Sequence, residues 1–184
     1  MSGAQAAVLG LGTCFILLLS RRSLPHPRSH GFWRLFAFEG LLILIVLNAP
    51  VWFRRPFAPR QVASWLLLIA SAALALHAVH LLHSAGRPAA GAGEGPDLHW
   101  ERTTKLVTAG AYRYIRHPMY ASLLALAWGT CLKHFSVASV GLALAACGFL
   151  VPTALAEERE NLAEFGAAYA AYMKTTKRFI PWVF

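Results

Sequence analysis

The sequence predicts an all-α, polytopic integral membrane protein with five transmembrane helices, the last two a tight hairpin, and a C-terminal amphipathic segment. Three observations carry this. The 184-residue chain is 57% hydrophobic, with a mean hydropathy of +0.50, beyond the usual makeup of a water-soluble domain. Its apolar residues fall into five runs, 3–20, 33–53, 61–83, 118–132 and 135–156. Its cations gather at the ends of those runs, where they mark topology and meet anionic headgroups. One membrane domain, 1–184, fits this length: three helices and a loop in 1–104, then a second part in 105–184.

The first run resembles the core of a signal peptide. It has no basic region before it, however, and Arg21 and Arg22 follow it with no small-residue cleavage site, so it reads as a retained helix. The second and third runs are long enough to span. The fourth has 15 residues, about 22 Å of helix against about 30 Å of hydrocarbon. Only Lys133 and His134 separate it from the fifth, so the two read as a hairpin whose tip stops short of the far interface. Pro152 is expected to kink the fifth run near its end.

The segment Ser84 to Thr104, with "SAGRPAAGAGEGPD", reads as a flexible loop. After the fifth run, Leu155, Leu162, Phe165, Tyr169 and Tyr172 recur among charges. An amphipathic helix continuing the span is expected, with Gly166 weakening or bending it. The closing "RFIPWVF" suits a return to the membrane surface.

The loops after runs one, three and five hold 13 cations, and the opposite side holds Arg54, Arg55, Arg60 and Lys133, which are 4. This places the N-terminus outside and the C-terminus in the cytoplasm. The alanine-rich composition suggests a bacterial inner membrane. The formal charge of +9 does not signal nucleic-acid binding, which needs a solvated basic face. Cys14, Cys131 and Cys147 stand singly in apolar runs, with neither metal-ligand nor disulfide spacing.

The chemistry-bearing residues concentrate in two places. The first is "AYRYIRHPMYASL", residues 111–123. Pro118 suits the first turn of a helix, so the fourth helix starts at about His117 or Pro118 with its free N–H groups and positive dipole end exposed. Arg113 and Arg116 add cations, making a pocket for a carboxylate or phosphate. Tyr112, Tyr114 and Tyr120 add flat faces for an adenine or a cation. The alternative is a basic, aromatic interface belt. The second place is Glu157, Glu158 and Glu160. In a tight hairpin these face Arg113, Arg116 and His117; the alternative is a solvated helix turn with weak surface pairs.

Two other features stand out. Glu39 lies within the second run and is either functional or snorkelling. His77, His80 and His83 form a stripe on the third. No Cys or carboxylate supports a metal site there, so the stripe reads as interfacial packing or as lining of the same pocket, and no metal ligand is assigned.

Residues 105–181 resemble the isoprenylcysteine carboxyl methyltransferase family, which is related to the phospholipid N-methyltransferases. The likeness lies in Gly-x-Tyr-Arg-Tyr-x-Arg-His-Pro-x-Tyr, then Glu-Glu, then Phe-Gly-x-x-Tyr-x-x-Tyr, then Arg-x-x-Pro. It implies a membrane-embedded enzyme that uses S-adenosylmethionine and releases S-adenosylhomocysteine. Its cofactor pocket would lie at the cytoplasmic end of the last two helices and the C-terminal segment, making 105–184 the cofactor-binding core. By that resemblance Tyr112, Arg116, His117, Pro118 and Tyr120 enclose the cofactor. Glu157 and Glu158 are the acidic pair, Glu158 being the one expected at the cofactor's amino group or the active site. Arg178 and Pro181 are the C-terminal arginine and proline. Many relatives carry arginine where this chain has Thr175, which leaves Lys174 or Arg178 to orient the acceptor.

Methyl transfer from a sulfonium is an in-line displacement, so alignment is the main task. A carboxylate acceptor needs no base; an amine or thiol would use His117 or Glu158. Arg178 suits an acceptor carboxylate or phosphate. The implied partners are a lipophilic or prenylated substrate and membrane lipid, with the acceptor entering sideways from the bilayer. Two rivals stay open. Membrane sterol reductases, which bind NADPH, carry an Arg-His-Pro-x-Tyr motif, and a small basic membrane protein could serve assembly alone.

Overall fold

The computed structural model describes residues 1–86 and 105–183. The expected flexible loop falls almost wholly between them, outside the described residues. Among the described residues there are six α-helices in order: α1 (Gly3–Ser20), α2 (His30–Asn48), α3 (Pro59–Ala85), α4 (Pro118–Cys131), α5 (Val137–Phe165) and α6 (Ala167–Thr175). Short 3-10 turns occupy Ala49–Val51 and Gly110–Arg113. Among the described residues there is no strand, only an isolated parallel bridge between Ile115 and Lys177.

Among the described residues four helices, α1, α2 with its 3-10 turn, α3 and α5, are long and apolar enough to cross a membrane. The protein is therefore an all-helical integral membrane protein. The expected count was five. The fourth run becomes the 14-residue α4, about 21 Å long, and does not reach that length.

Local chemistry explains the boundaries. The Ser2 hydroxyl accepts from Gln5 N at 3.2 Å while the Gln5 side chain accepts from Ser2 N at 2.7 Å, a capping box for α1. Ser29 and Ser136 cap α2 and α5. Pro59 and Pro118 open α3 and α4. α5 runs unbroken past Pro152. The helical continuation is present, and Gly166, at φ +54°, ends α5 and precedes α6; of the expected apolar positions Tyr169 and Tyr172 are buried and Leu162 is exposed.

α2 packs most extensively on α5, and α3 on α4. Small residues let the helices approach. A Cβ placed on Gly40 would sit 3.6 Å from the Ala146 side chain, and one on Gly129 would meet Leu68 at 3.0 Å. Leu41, Leu44, Ala127, Cys131, Ala143 and Ala146 form the core where α2, α4 and α5 meet. Buried hydroxyls tie α3 to α4: Ser64 donates to the Gly129 carbonyl at 2.6 Å and Ser71 to the Ser122 carbonyl at 2.7 Å. Asn48 and Ser139 join α2 to α5 at 3.2 Å.

α1 lies at the edge, with Leu11 74%, Phe15 61% and Leu18 58% exposed, a surface suited to lipid rather than water. It touches α2 through Thr13, which donates to Glu39 Oε2 at 3.0 Å. Glu39 thus joins α1 to α2.

Candidate active site

The site forms where α4 begins and α5 ends. The backbone of 114–117 lies beside 177–178. Lys177 N donates to the Tyr114 carbonyl at 3.2 Å, Arg116 N to the Lys177 carbonyl at 2.7 Å, and His117 N to the Arg178 carbonyl at 3.1 Å. These bonds hold the C-terminal segment against the start of α4. They also bury Phe179 with Tyr120, Ala37, Leu150 and Ala154. Ile180, Trp182 and Val183 stay exposed, as apolar residues suited to a surface contact do.

Glu158 is the electrostatic centre. Its side chain is 5% exposed and that of Arg116 is 7% exposed. Arg116 Nε donates to Glu158 Oε1 at 2.9 Å, while Arg178 donates from Nε to Oε1 at 3.1 Å and from Nη2 to Oε2 at 3.2 Å. Arg116 Nη1 also reaches the carbonyls of Met173, at 3.2 Å, and of Thr176. One carboxylate therefore fixes two arginines, and through them α6 and the C-terminal segment.

The three clustered acids have separate tasks. Glu160 accepts from the backbone N–H of His30 at 3.1 Å and pairs with its imidazole. It thereby closes the N-terminus of α2, where a carboxylate complements the dipole. Glu157 lines a cavity together with Tyr112, Arg116, His117 and Tyr120. The cavity measures about 90 Å³ inside and about 680 Å³ once its open mouth is counted.

His117 is buried and stacks on Tyr120, with ring centroids 5.4 Å apart and planes at 17°. Its Nδ1 lies 3.7 Å from Glu157 Oε1 and its Nε2 3.5 Å from Glu158 Oε1. Among the described residues both contacts lie at or beyond the outer limit of a hydrogen bond, and neither ring nitrogen has a closer partner. For a buried imidazole this is an unmet demand that a ligand can satisfy.

The structure thus brings together Tyr112, Arg116, His117, Tyr120 and Glu157 on the cavity wall, with Glu158 and Arg178 behind Arg116. Pro118 opens α4 and is buried, but it is not among the lining residues. Arg113 is exposed at the end of the 3-10 turn and does not line the cavity. Lys174 and Thr175 are exposed on α6, whereas Arg178 sits on Glu158. His77, His80 and His83 are all exposed and do not line the cavity. Ala78 and Leu82 of α3 take the inward positions instead, beside Val107 and Tyr112.

The residues not assigned to the site from sequence are Leu82, Leu106, Val107, Met119, Asn161, Phe165, Tyr169 and Tyr172. Glu157, Asn161 and Phe165 are spaced i, i+4, i+8, one face of a helix, and that spacing is the signal that finds them. Tyr169 and Tyr172 belong to the Phe-Gly-x-x-Tyr-x-x-Tyr element. The Tyr172 hydroxyl donates to the Tyr112 carbonyl at 2.5 Å. Burial raises the pKa of both phenols; the charges of Glu157 and Glu158 add to this at Tyr169. Raised folded values mean that their stabilising contribution is full below the ordinary tyrosine value and is lost above it. Stability should fall as pH rises beyond about 10. Alkaline unfolding of Tyr172→Phe should show a weaker dependence than the parent chain.

Gly110 stands at φ +56°, and a Cβ there would lie 2.6 Å from both His77 Nε2 and Leu81 Cδ1. Gly110→Ala combines left-handed strain with crowding. It should cost about 1–2 kcal/mol in unfolding measurements and displace Tyr112 from the cavity.

Comparison with known families decides the assignment. The phospholipid methyltransferase family model matches residues 59–165, from the start of α3 to the end of α5. The chain belongs to the phospholipid methyltransferase family. This family is related to the isoprenylcysteine carboxyl methyltransferases, and its membership makes the protein a membrane methyltransferase. The match takes in α3, one helix before the motifs of 105–181, and ends before α6. No curated protein matches the chain, and no solved structure does.

Proposed function

We propose that this methyltransferase uses S-adenosylmethionine to methylate a lipophilic acceptor at the junction of α4, α5 and the C-terminal segment. The observation that carries the reading is the cavity itself. Aromatic faces, an arginine, an unsatisfied histidine and a carboxylate from two distant motifs converge on it. These groups fit the cofactor's parts. Tyr112, Tyr120, Tyr169 and Tyr172 offer π-faces to adenine and to the sulfonium. Glu157 offers a carboxylate to the ammonium. Arg116, with Nε and Nη1 committed, keeps Nη2 for the carboxylate.

The bound cofactor supplies an activated methyl group, and the protein's part is alignment. Glu158 acts as a positioning residue, because both its oxygens accept from arginines. His117 is then the base for an amine or thiol acceptor, while a carboxylate acceptor needs none. Arg178, its side chain 28% exposed, orients an acceptor carboxylate or phosphate and Lys174 does not. The acceptor enters from the bilayer. α4 and α5 act as a hairpin with α4 its short arm. The 13-to-4 split of cations supports a site at the cytoplasmic face with the N-terminus outside, and the alanine-rich composition supports a bacterial inner membrane.

The test is transfer of labelled methyl from S-adenosylmethionine into organic-extractable acceptors by the full chain in bilayers. Candidate carboxylate, amine and thiol lipids should be offered in turn. At saturating S-adenosylmethionine, labelled product that depends more strongly on His117 for amines and thiols than for carboxylates is expected. Labelling of none of the three classes would overturn the reading.

A further inference from the structure

We propose that the opposite end of the helix bundle is a binding site for the headgroup of an anionic phospholipid. A cavity of about 700 Å³ lies there, between the α2–α3 connection and the turn that joins α4 to α5. Arg54, Arg55, Arg60, Lys133 and His134 all line it, with Gln61. The 27 residues of α3 hold it about 40 Å from the other end of that helix.

Among the described residues the positive charge has no counterion. The sequence has no Asp or Glu from 40 to 93 or from 102 to 156. Among the described residues none of these cations forms an ion pair. Lys133 is the sharpest case. It is 1% exposed and its Nζ has no hydrogen-bond partner. The ammonium sits 3.2 Å from the Trp65 ring centroid and 5.5 Å from that of Trp52. Those faces attract a cation but accept no conventional hydrogen bond from it and leave its charge uncancelled. Gln61 fixes this turn by donating to the Lys133 carbonyl at 3.0 Å, and its own Oε1 is buried without a partner. The first turn of α3 opens on the cavity with no side-chain cap, adding the positive end of a 27-residue helix.

The surroundings select a lipid as the source of the anion. Phe53 is 75% exposed, Phe57 90%, Phe135 57% and Val137 93%. These residues flank the cations in sequence, so acyl chains have an apolar surface beside a headgroup phosphate. A free phosphate would make no use of it. Two tryptophans beside the lysine suit the depth of a membrane interface.

The test uses the full-length protein, delipidated in detergent and offered phosphatidylglycerol and phosphatidylcholine in equal amounts, with retention read by native mass spectrometry. Phosphatidylglycerol should be retained about tenfold over phosphatidylcholine. The double variant Arg54→Gln/Arg60→Gln, altered only at exposed side chains, should lose that preference while keeping the parent's thermal midpoint. Lys133→Met, which keeps the stem against the tryptophans, should lose it as well. Equal retention of the two lipids, or a preference surviving in both variants, would overturn the proposal. Displacement of the lipid by millimolar inorganic phosphate would assign the pocket to a free phosphate and overturn the lipid.

Discussion

Glu158→Gln is expected to destabilise the protein by about 3–5 kcal/mol, the cost of breaking a buried ion pair from one side. The substitution leaves Arg116, 7% exposed, as a buried guanidinium without its anion. Arg178 contributes less, because its side chain is 28% exposed and water can screen it. Arg116 also holds the carbonyls of Met173 and Thr176. Loosening it releases α6 and the segment beside His117, so ligand binding should be lost along with stability. Thermal unfolding in detergent should show a midpoint lower by roughly 10 °C. A companion variant distinguishes the cause. Glu158→Leu with Arg116→Leu removes both buried charges and should recover much of the stability without recovering ligand binding. If the two variants are equally destabilised, the charge argument fails.

Glu157→Gln should behave in the opposite way. Its side chain is 31% exposed, and it stands 3.7 Å from His117 Nδ1, beyond a hydrogen bond. The fold should not depend on it, and the thermal midpoint should match the parent's. The carboxylate nonetheless stands on the cavity wall. Losing a charge-assisted hydrogen bond to a ligand ammonium, worth about 1.5–3 kcal/mol, predicts binding of S-adenosylhomocysteine weaker by roughly 10–100-fold. Unchanged affinity in titration calorimetry would remove Glu157 from the site.

These two neighbours show what the sequence could and could not reveal. The Glu-Glu pair was legible as an acidic pair facing Arg116 and His117. Which glutamate lines the cavity was not, because a helix turns about 100° between successive residues, and that decides the matter only once the facing elements are known. Glu158, expected at the cofactor's amino group or the active site, lies between two arginines, and Glu157 lines the cavity. Arg113 and Arg116 looked equivalent as nearby cations. The 3-10 turn Gly110–Arg113 ends at the first and leaves it in solvent. The second follows the bridge of Ile115 to Lys177 and points into the site.

Helix limits were readable wherever composition changes sharply. α1 coincides with the run 3–20, and Pro118 opens α4. α5 outlasts its apolar run by nine residues, to Phe165, because polarity marks where lipid ends and not where backbone hydrogen bonds end. Gly166 marks the actual break. Contacts between remote residues left little local signal. The pairing of Glu160 with His30 spans 130 residues, and the placement of Lys133 between Trp52 and Trp65 has no local pattern at all.

The central claim is that the cavity behind Arg-His-Pro-x-Tyr holds the methyl donor. Its most direct test is calorimetric titration of the detergent-purified chain with S-adenosylhomocysteine and, separately, with NADPH, repeated in Glu157→Gln and His117→Ala. Saturable binding of S-adenosylhomocysteine, weakened by both substitutions, and none of NADPH, is the predicted result. Binding of NADPH alone, or of neither in protein shown to be folded, would contradict it.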